Sequence, residues 1–238
     1  ISLGLVGSEM CIRDRPVTRR DIPAKVDGSA VYGIDFTLPD MRVATIAAAP
    51  VRGGTLESVD EAPAMAVAGV EKVIKLPDAV VVIGKGYWAA TKGLAALSPK
   101  FTDGGHSAMS TPAIYAAQAK LRAGGKPDNE GGEGDVDAAF AADGVKLVEA
   151  EYRVPFIHHA MMEPFALTGH FKDGKLTIWG GLQDPLSTRK RAAKAAGLDV
   201  QNVTFNPMIM GGGFGRRFPD VVETVSYTHL TLPTKRIV

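Results

Sequence analysis

With 238 residues, 45% of them apolar and 22% charged, the chain has the composition of a globular protein with room for one large or two ordinary domains. No apolar run approaches the roughly 18 residues of a membrane span. The single cysteine, Cys11, excludes an intrachain disulfide framework and a thiolate metal site, and leaves the compartment open between cytoplasm and periplasm.

The two ends differ from the rest. Residues 1–15 (ISLGLVGSEMCIRDR) and 226–238 (SYTHLTLPTKRIV) resemble translated sequencing-adapter read-through, and they are expected to be artefacts outside the fold. The first segment is charge-neutral, and the last carries Lys235 and Arg236. Removing that +2 from the formal net charge of +1 leaves −1 for residues 16–225. The sequence pI near 8.0 therefore gives no sign of a nucleic-acid partner.

Along the chain, residues 31–36 and 42–48 read as strands around the turn Leu38-Pro39-Asp40. Asp60 caps a short helix that stops at Gly69, and the β-branched runs 70–75 and 79–83 read as buried strands. Tyr87, Thr91 and Leu94 share one face of a helix over 87–97, with Tyr87 and Trp88 expected as core or interface aromatics. This makes a β-β-α-β-β-α unit over residues 27–102. Thr111-Pro112 opens a further helix to Gly124, and the glycine- and charge-rich stretch 124–134 reads as a linker and domain boundary. Asp135 caps another short helix, and 146–154 reads as a strand. Residues 166–171 and 175–179 flank the hairpin turn Asp173-Gly174. A basic helix over 187–196 ends at Gly197, and a strand over 201–205 feeds the next motif.

That motif is Gly211-Gly212-Gly213-Phe214-Gly215-Arg216-Arg217. Glycine at this density marks backbone that needs positive φ or close contact with another group. Consecutive bare N–H groups form a nest for an anion, and two arginines add forked donors suited to phosphate. A dinucleotide fingerprint fails because its third glycine would be Arg216, and no P-loop Gly-Lys-Ser/Thr is present. The plain alternative is a tight glycine turn between strands.

Two stretches upstream bear on that choice. His158, His159 and Glu163 lie between Pro155 and Pro164, which disfavours the helix a His/Glu metal motif needs. The better reading is a hydrogen-bonded wall in which Glu163 orients a neighbouring loop. Trp179 ends a strand, the next loop presents Gln183, and a helix N-terminus near Ser187 offers N–H groups to an anion. No G-x-S-x-G elbow supports a nucleophilic triad.

Taken in order, His159-x-x-Met162-Glu163-Pro164, Trp179-x-x-x-Gln183-x-Pro185 and the glycine block with its double arginine resemble the molybdenum-cofactor large subunit of the xanthine dehydrogenase/aldehyde oxidase family, with isoquinoline 1-oxidoreductase-like beta subunits nearest. Residues 25–33, Gly69-Val70 and Trp88 are similar to that family's a/b hammerhead domain. The resemblance implies an α+β protein: a hammerhead domain over 16–123, a linker over 124–134, and the first part of a molybdopterin-binding domain over 135–225. It implies a molybdenum–pyranopterin cofactor (molybdopterin or its cytosine dinucleotide), and an enzyme that hydroxylates an N-heterocycle or aldehyde with oxygen from water. Electrons would pass to [2Fe-2S] clusters on a small partner subunit. The cofactor-binding positions it implies are Gln183, Gly211, Gly212, Gly213, Phe214, Gly215 and Arg216. The family's glutamine ahead of the Glu-containing block corresponds to Ile157 here, and its general-base glutamate lies beyond this chain, which on that reading is an inactive piece of the subunit. The alternative class is a non-enzymatic module that uses the glycine cradle for a phosphorylated ligand.

Overall fold

The structure is a computed structural model that describes residues 19–51, 53–124 and 134–218. The adapter-like segments 1–15 and 226–238, and the interior of the expected linker, lie outside the described residues. In chain order the elements are α1 (Ile22–Asp27), β1 (Val43–Ala48), β2 (Leu56–Ser58), α2 (Ala62–Met65), β3 (Val70–Lys75), β4 (Ala79–Gly84), α3 (Tyr87–Ala96), β5 (Lys100–Phe101), α4 (Thr111–Gly124), α5 (Val136–Ala141), β6 (Leu167–Lys172), β7 (Lys175–Gly180), α6 (Pro185–Ala196) and β8 (Val203–Pro207). Mixed helices and sheets make this an α+β fold. Contacts gather the residues into two compact units: Arg42–His158, and a second formed by the chain up to Met41 together with the chain from His159. The expected boundary at 124–134 falls inside the first of these.

Within Arg42–His158, β4 is the centre of an antiparallel sheet of order β1-β4-β3. Its sequence, Ala79-Val80-Val81-Val82, is apolar without alternation because both faces are covered, and all four residues are fully buried. Helix α3 lies close against this sheet. A Cβ at Gly93 would stand 2.6 Å from Val70 Cγ2 and 2.9 Å from Val82 Cγ1, so only glycine permits the approach. Ala64, Val73, Val80, Val82 and Leu97 form the core. Asp60 accepts the Ala62 N–H at 3.0 Å just ahead of α2, which has Glu61 at its N-cap and ends at Met65, short of the expected Gly69. Strands β2 and β5 pair with each other; at two and three residues they are too short to show a hydrophobic period.

Three expectations for residues up to 154 need revision. Residues 31–36 are not a strand: the Tyr32 N–H bonds the Asp35 carboxylate at 3.0 Å, and the Asp35 N–H returns to the Tyr32 carbonyl at 3.1 Å, closing a turn. Only a single bridge, Tyr32 to Ile209, remains extended there. Residues 146–154 form no ladder, although Val148, Tyr152 and Val154 alternate as a strand would; alternation without a paired neighbour leaves them 82%, 89% and 79% exposed. Of the core-or-interface expectation for Tyr87 and Trp88 only the core half fails: they are 57% and 72% exposed at the start of α3, where their rings meet edge-on.

The second unit is organised by the sheet β6-β7-β8. Asp173 and Gly174 both have positive φ (51° and 75°), which suits the two-residue hairpin turn joining β6 to β7. β7 and β8 are parallel, so the chain must cross over between them, and α6 makes that crossing. Thr188, Ala192 and Ala193 face Leu176, Ile178 and Val203 in a core of small residues that brings the helix close to the sheet. The helix starts at Pro185, two residues before the expected start, because Asp184 caps it by accepting the Ser187 N–H at 2.9 Å. A 3₁₀ turn at Val200–Asn202 shifts the start of β8 to Val203, and the Arg189 guanidinium ties that turn down through the Val200 and Val203 carbonyls.

Candidate functional site

The glycine block follows shortly after β8, and two side chains from elsewhere in the same unit define its course. The Glu163 carboxylate accepts the Gly211 N–H through Oε2 at 2.6 Å. The Gln183 side chain lies against Gly213, where a Cβ would come within 2.6 Å of its Cδ. Gln183 also closes a reciprocal pair with the end of the block: its N–H donates to the Arg217 carbonyl at 3.0 Å, and its Oε1 accepts the Arg217 N–H at 3.3 Å. Gly212 sits under the Phe214 ring, 2.6 Å from the position of an added Cβ.

The glycines are therefore required by neighbouring protein atoms as well as by backbone angle. Gly212, Phe214 and Gly215 have φ of 94°, 50° and 82°. Phe214 is the non-glycine residue in that row, and its ring is 68% exposed. No hydrogen bond to a described residue engages the N–H groups of Gly212, Gly213, Phe214 or Gly215. The four successive donors lie in backbone that is left-handed at Gly212, Phe214 and Gly215 but not at Gly213. Arg216 is half-buried at the edge of this turn, with its N–H on the Gly213 carbonyl at 2.8 Å.

The two arginines, alike in sequence, part company in the fold. Arg217 is 1% exposed and is not a phosphate donor. Its Nη1 pairs with Glu163 Oε2 at 2.8 Å and also donates to the Gly181 carbonyl at 3.1 Å. Its Nη2 donates to the Glu163 carbonyl at 2.9 Å, its Nε approaches Met161 Sδ at 3.3 Å, and the guanidinium lies over the Phe165 ring. Every edge of the fork is occupied by protein. Glu163 orients the neighbouring loop as its sequence context predicted, with one feature the sequence did not carry: its Oε1 is buried without a partner.

The N-terminus of α6 is not open to an anion as expected, because Asp184 supplies its own carboxylate there. The Ser187 contact holds that carboxyl below the usual Asp range. Trp179 is covered by Phe36, whose ring stacks on it at 4.8 Å, which places the tryptophan of the Trp-x-x-x-Gln pattern in a packing role. Among the described residues no group of three or more His, Cys, Asp or Glu side chains is arranged to hold a metal ion. No helix among them is long and apolar enough to cross a membrane.

Residues 123–238 match the molybdopterin cofactor-binding domain family. The chain is 31% identical over 213 residues to isoquinoline 1-oxidoreductase subunit beta of Brevundimonas diminuta, across 86% of this chain and 27% of that protein. It is 28% identical over 213 residues to the membrane-bound aldehyde dehydrogenase [pyrroloquinoline-quinone] of Gluconacetobacter polyoxogenes, across 83% of this chain and 26% of that one. It thus spans about a quarter of the length of these curated relatives. Among solved structures, quinoline 2-oxidoreductase from Pseudomonas putida 86 superposes with a TM-score of 0.65 at 17% identity, over 90% of this chain and 32% of its own. Residues 123–238 thus carry a molybdopterin cofactor-binding domain, and the chain is similar in sequence and fold to the molybdenum-binding large subunits named above.

Proposed function

We propose that this chain supplies the first part of the cofactor site in a molybdenum hydroxylase large subunit that oxidises an N-heterocycle or an aldehyde. The observation that carries the reading is the row of N–H groups from Gly212 to Gly215, without acceptors among the described residues and held in place by Glu163, Gln183 and Arg217. Such a row fits the phosphate and oxo oxygens of a pyranopterin cofactor, which needs donors that no protein acceptor has already taken. Gln183, Gly211, Gly212, Gly213, Phe214, Gly215 and Arg216 are the residues assigned to that contact, with the half-buried Arg216 as the charged member. When bound, the molybdenum centre supplies an activated oxygen from water and accepts the electrons of the substrate.

The chain's own residues do three things in this account. The glycine block presents donors without side chains in the way. Gln183 sets the distance between the block and the loop that precedes α6. Phe214, exposed and held at positive φ, offers an aromatic face beside the donors, on which a flat heterocycle would stack. The electron acceptor is proposed to be a small [2Fe-2S] subunit. Residues 16–123 are proposed as the a/b hammerhead, with the β1-β4-β3 sheet and α3 at its centre, and residues from 135 as the start of the cofactor domain. The relative that carries pyrroloquinoline-quinone in its name makes cofactor identity a direct point of test.

The experiment is oxidation in isotopically labelled water by the full-length subunit with its iron–sulfur partner. Quinoline-type heterocycles and aromatic aldehydes are the probes. Labelled oxygen in the product together with bleaching of the iron–sulfur absorbance is the expected result. Turnover that draws oxygen from dioxygen, or that depends on added quinone, overturns the proposal.

A further inference from the structure

A buried guanidinium is tolerated when its donors meet acceptors, and Arg217 satisfies that condition by drawing on two separate stretches of chain. It reaches Met161 and Glu163 on one side and Gly181 on another, and its own backbone pairs with Gln183. Glu163 is held just as tightly, its side chain 8% exposed. Its Oε2 receives two donors: the Gly211 N–H at 2.6 Å from the first residue of the glycine block, and Arg217 Nη1 at 2.8 Å from the residue that follows it. One oxygen atom thus joins the two ends of the segment Gly211–Arg216. The other carboxylate oxygen, Oε1, is buried without a hydrogen-bond partner among the described residues.

We propose that Glu163 and Arg217 are a positioning pair, a clasp that fixes both ends of the glycine block so that its N–H row stays open for the cofactor. Neither residue touches the cofactor in this arrangement. The proposal rests on the cofactor reading above for what the block binds, while the clasp itself rests on the hydrogen bonds alone. Glutamine at position 163 keeps an oxygen at the Oε2 position for both donors and puts its amide at the partnerless Oε1. Alanine keeps neither. Lysine at position 217 keeps the charge but loses the fork that spans Glu163 and Gly181. Gly211→Ala disturbs the clasp from the other side, since its Cβ would lie 2.6 Å from Glu163 Cβ.

The test is made on the full-length subunit, with amide hydrogen exchange of the peptide over 210–218 as the first readout, β7 as the internal reference, and molybdenum per subunit as the second. Glu163→Ala, Arg217→Lys and Gly211→Ala are expected to speed exchange in 210–218 by about tenfold or more while β7 is unchanged, because a local opening is what the clasp suppresses. Molybdenum content is expected to fall in parallel. Glu163→Gln, which keeps the oxygen but not the charge, is expected to speed exchange less than Glu163→Ala does. Equal acceleration in β7, or a glutamine variant as impaired as the alanine one, overturns the clasp. If Glu163→Ala does not fold, Arg217→Lys and Gly211→Ala against Glu163→Gln carry the comparison. A wild-type subunit without molybdenum would remove the cofactor reading, and the exchange contrast would still decide the clasp.

Discussion

The two three-stranded sheets of this chain are stabilised in opposite ways. The β1-β4-β3 sheet has an entirely apolar centre, with Val80, Val81 and Val82 fully buried, and keeps its ion pairs outside: Arg42 with Glu71 and Lys75 with Glu61, all substantially exposed. The β6-β7-β8 sheet has a similar apolar layer under α6, but the loops beyond its strand ends hold a buried ion pair, Arg217 with Glu163. A buried pair is weak evidence for stability, because desolvating two charges offsets most of their attraction. What it provides is a fixed geometry, and here it is fixed around a glycine block that has no side chains of its own to pack. The first region is built to fold, and the second spends stability on holding a loop in one shape.

That contrast can be broken most severely at Arg217. Arg217→Ala leaves the Glu163 carboxylate buried without its partner, and a loss of about 3–5 kcal/mol is expected. A urea-unfolding midpoint lowered by less than the effect of an ordinary surface change would place the pair in solvent, against its geometry. In the apolar sheet the matching probe is Val82→Thr, which preserves shape and adds a hydroxyl with no acceptor. It is expected to cost about 1–3 kcal/mol, read from the same unfolding curves.

Asp184→Ala comes next. Its carboxyl is depressed by the Ser187 contact, so the stabilisation it gives is present above its unfolded pKa and is lost as pH falls through the folded value. Wild type and variant should therefore differ at neutral pH and converge below about pH 4. A gap that stays constant down to acid would mean the carboxylate does not act as the cap. The smallest effect is expected for Lys75→Ala, where the exposed pair with Glu61 is worth about 1 kcal/mol or less and should vanish in high salt.

The comparison also explains what was legible in the sequence. The β3, β4 and α3 positions, the Asp173-Gly174 hairpin and the helix after Gln183 were readable because periodicity and turn chemistry are local. Strands β2 and β5 were not, since short pairs are defined only by the partner across from them. Residues 146–154, expected as a strand, alternate at Val148, Tyr152 and Val154, yet a strand also needs a neighbour, and alternation does not supply one. In the site, the glycine block and Gln183 were visible as backbone chemistry, and Glu163 as the group that orients a loop. Nothing local separates Arg216 from Arg217: only packing against Met161, Phe165 and Gly181 turns the second into a buried anchor. Likewise, the open helix N-terminus expected near Ser187 is filled by Asp184, three residues before the assumed start. Asp184-Pro185 is itself a cap-and-first-turn signal that would have located it.

The central claim is that the glycine block, held by Glu163, Gln183 and Arg217, is part of a molybdenum–pyranopterin site. Its most direct test is the metal and pterin content of the purified full-length subunit, measured together with that of a Gly213→Ala variant, whose Cβ would stand 2.6 Å from Gln183 Cδ and 2.7 Å from its Oε1. The account predicts molybdenum and pterin in equal amounts in the wild-type protein and a marked loss of both in the variant. Wild-type subunit that carries neither, or a variant that retains both in full, would contradict it.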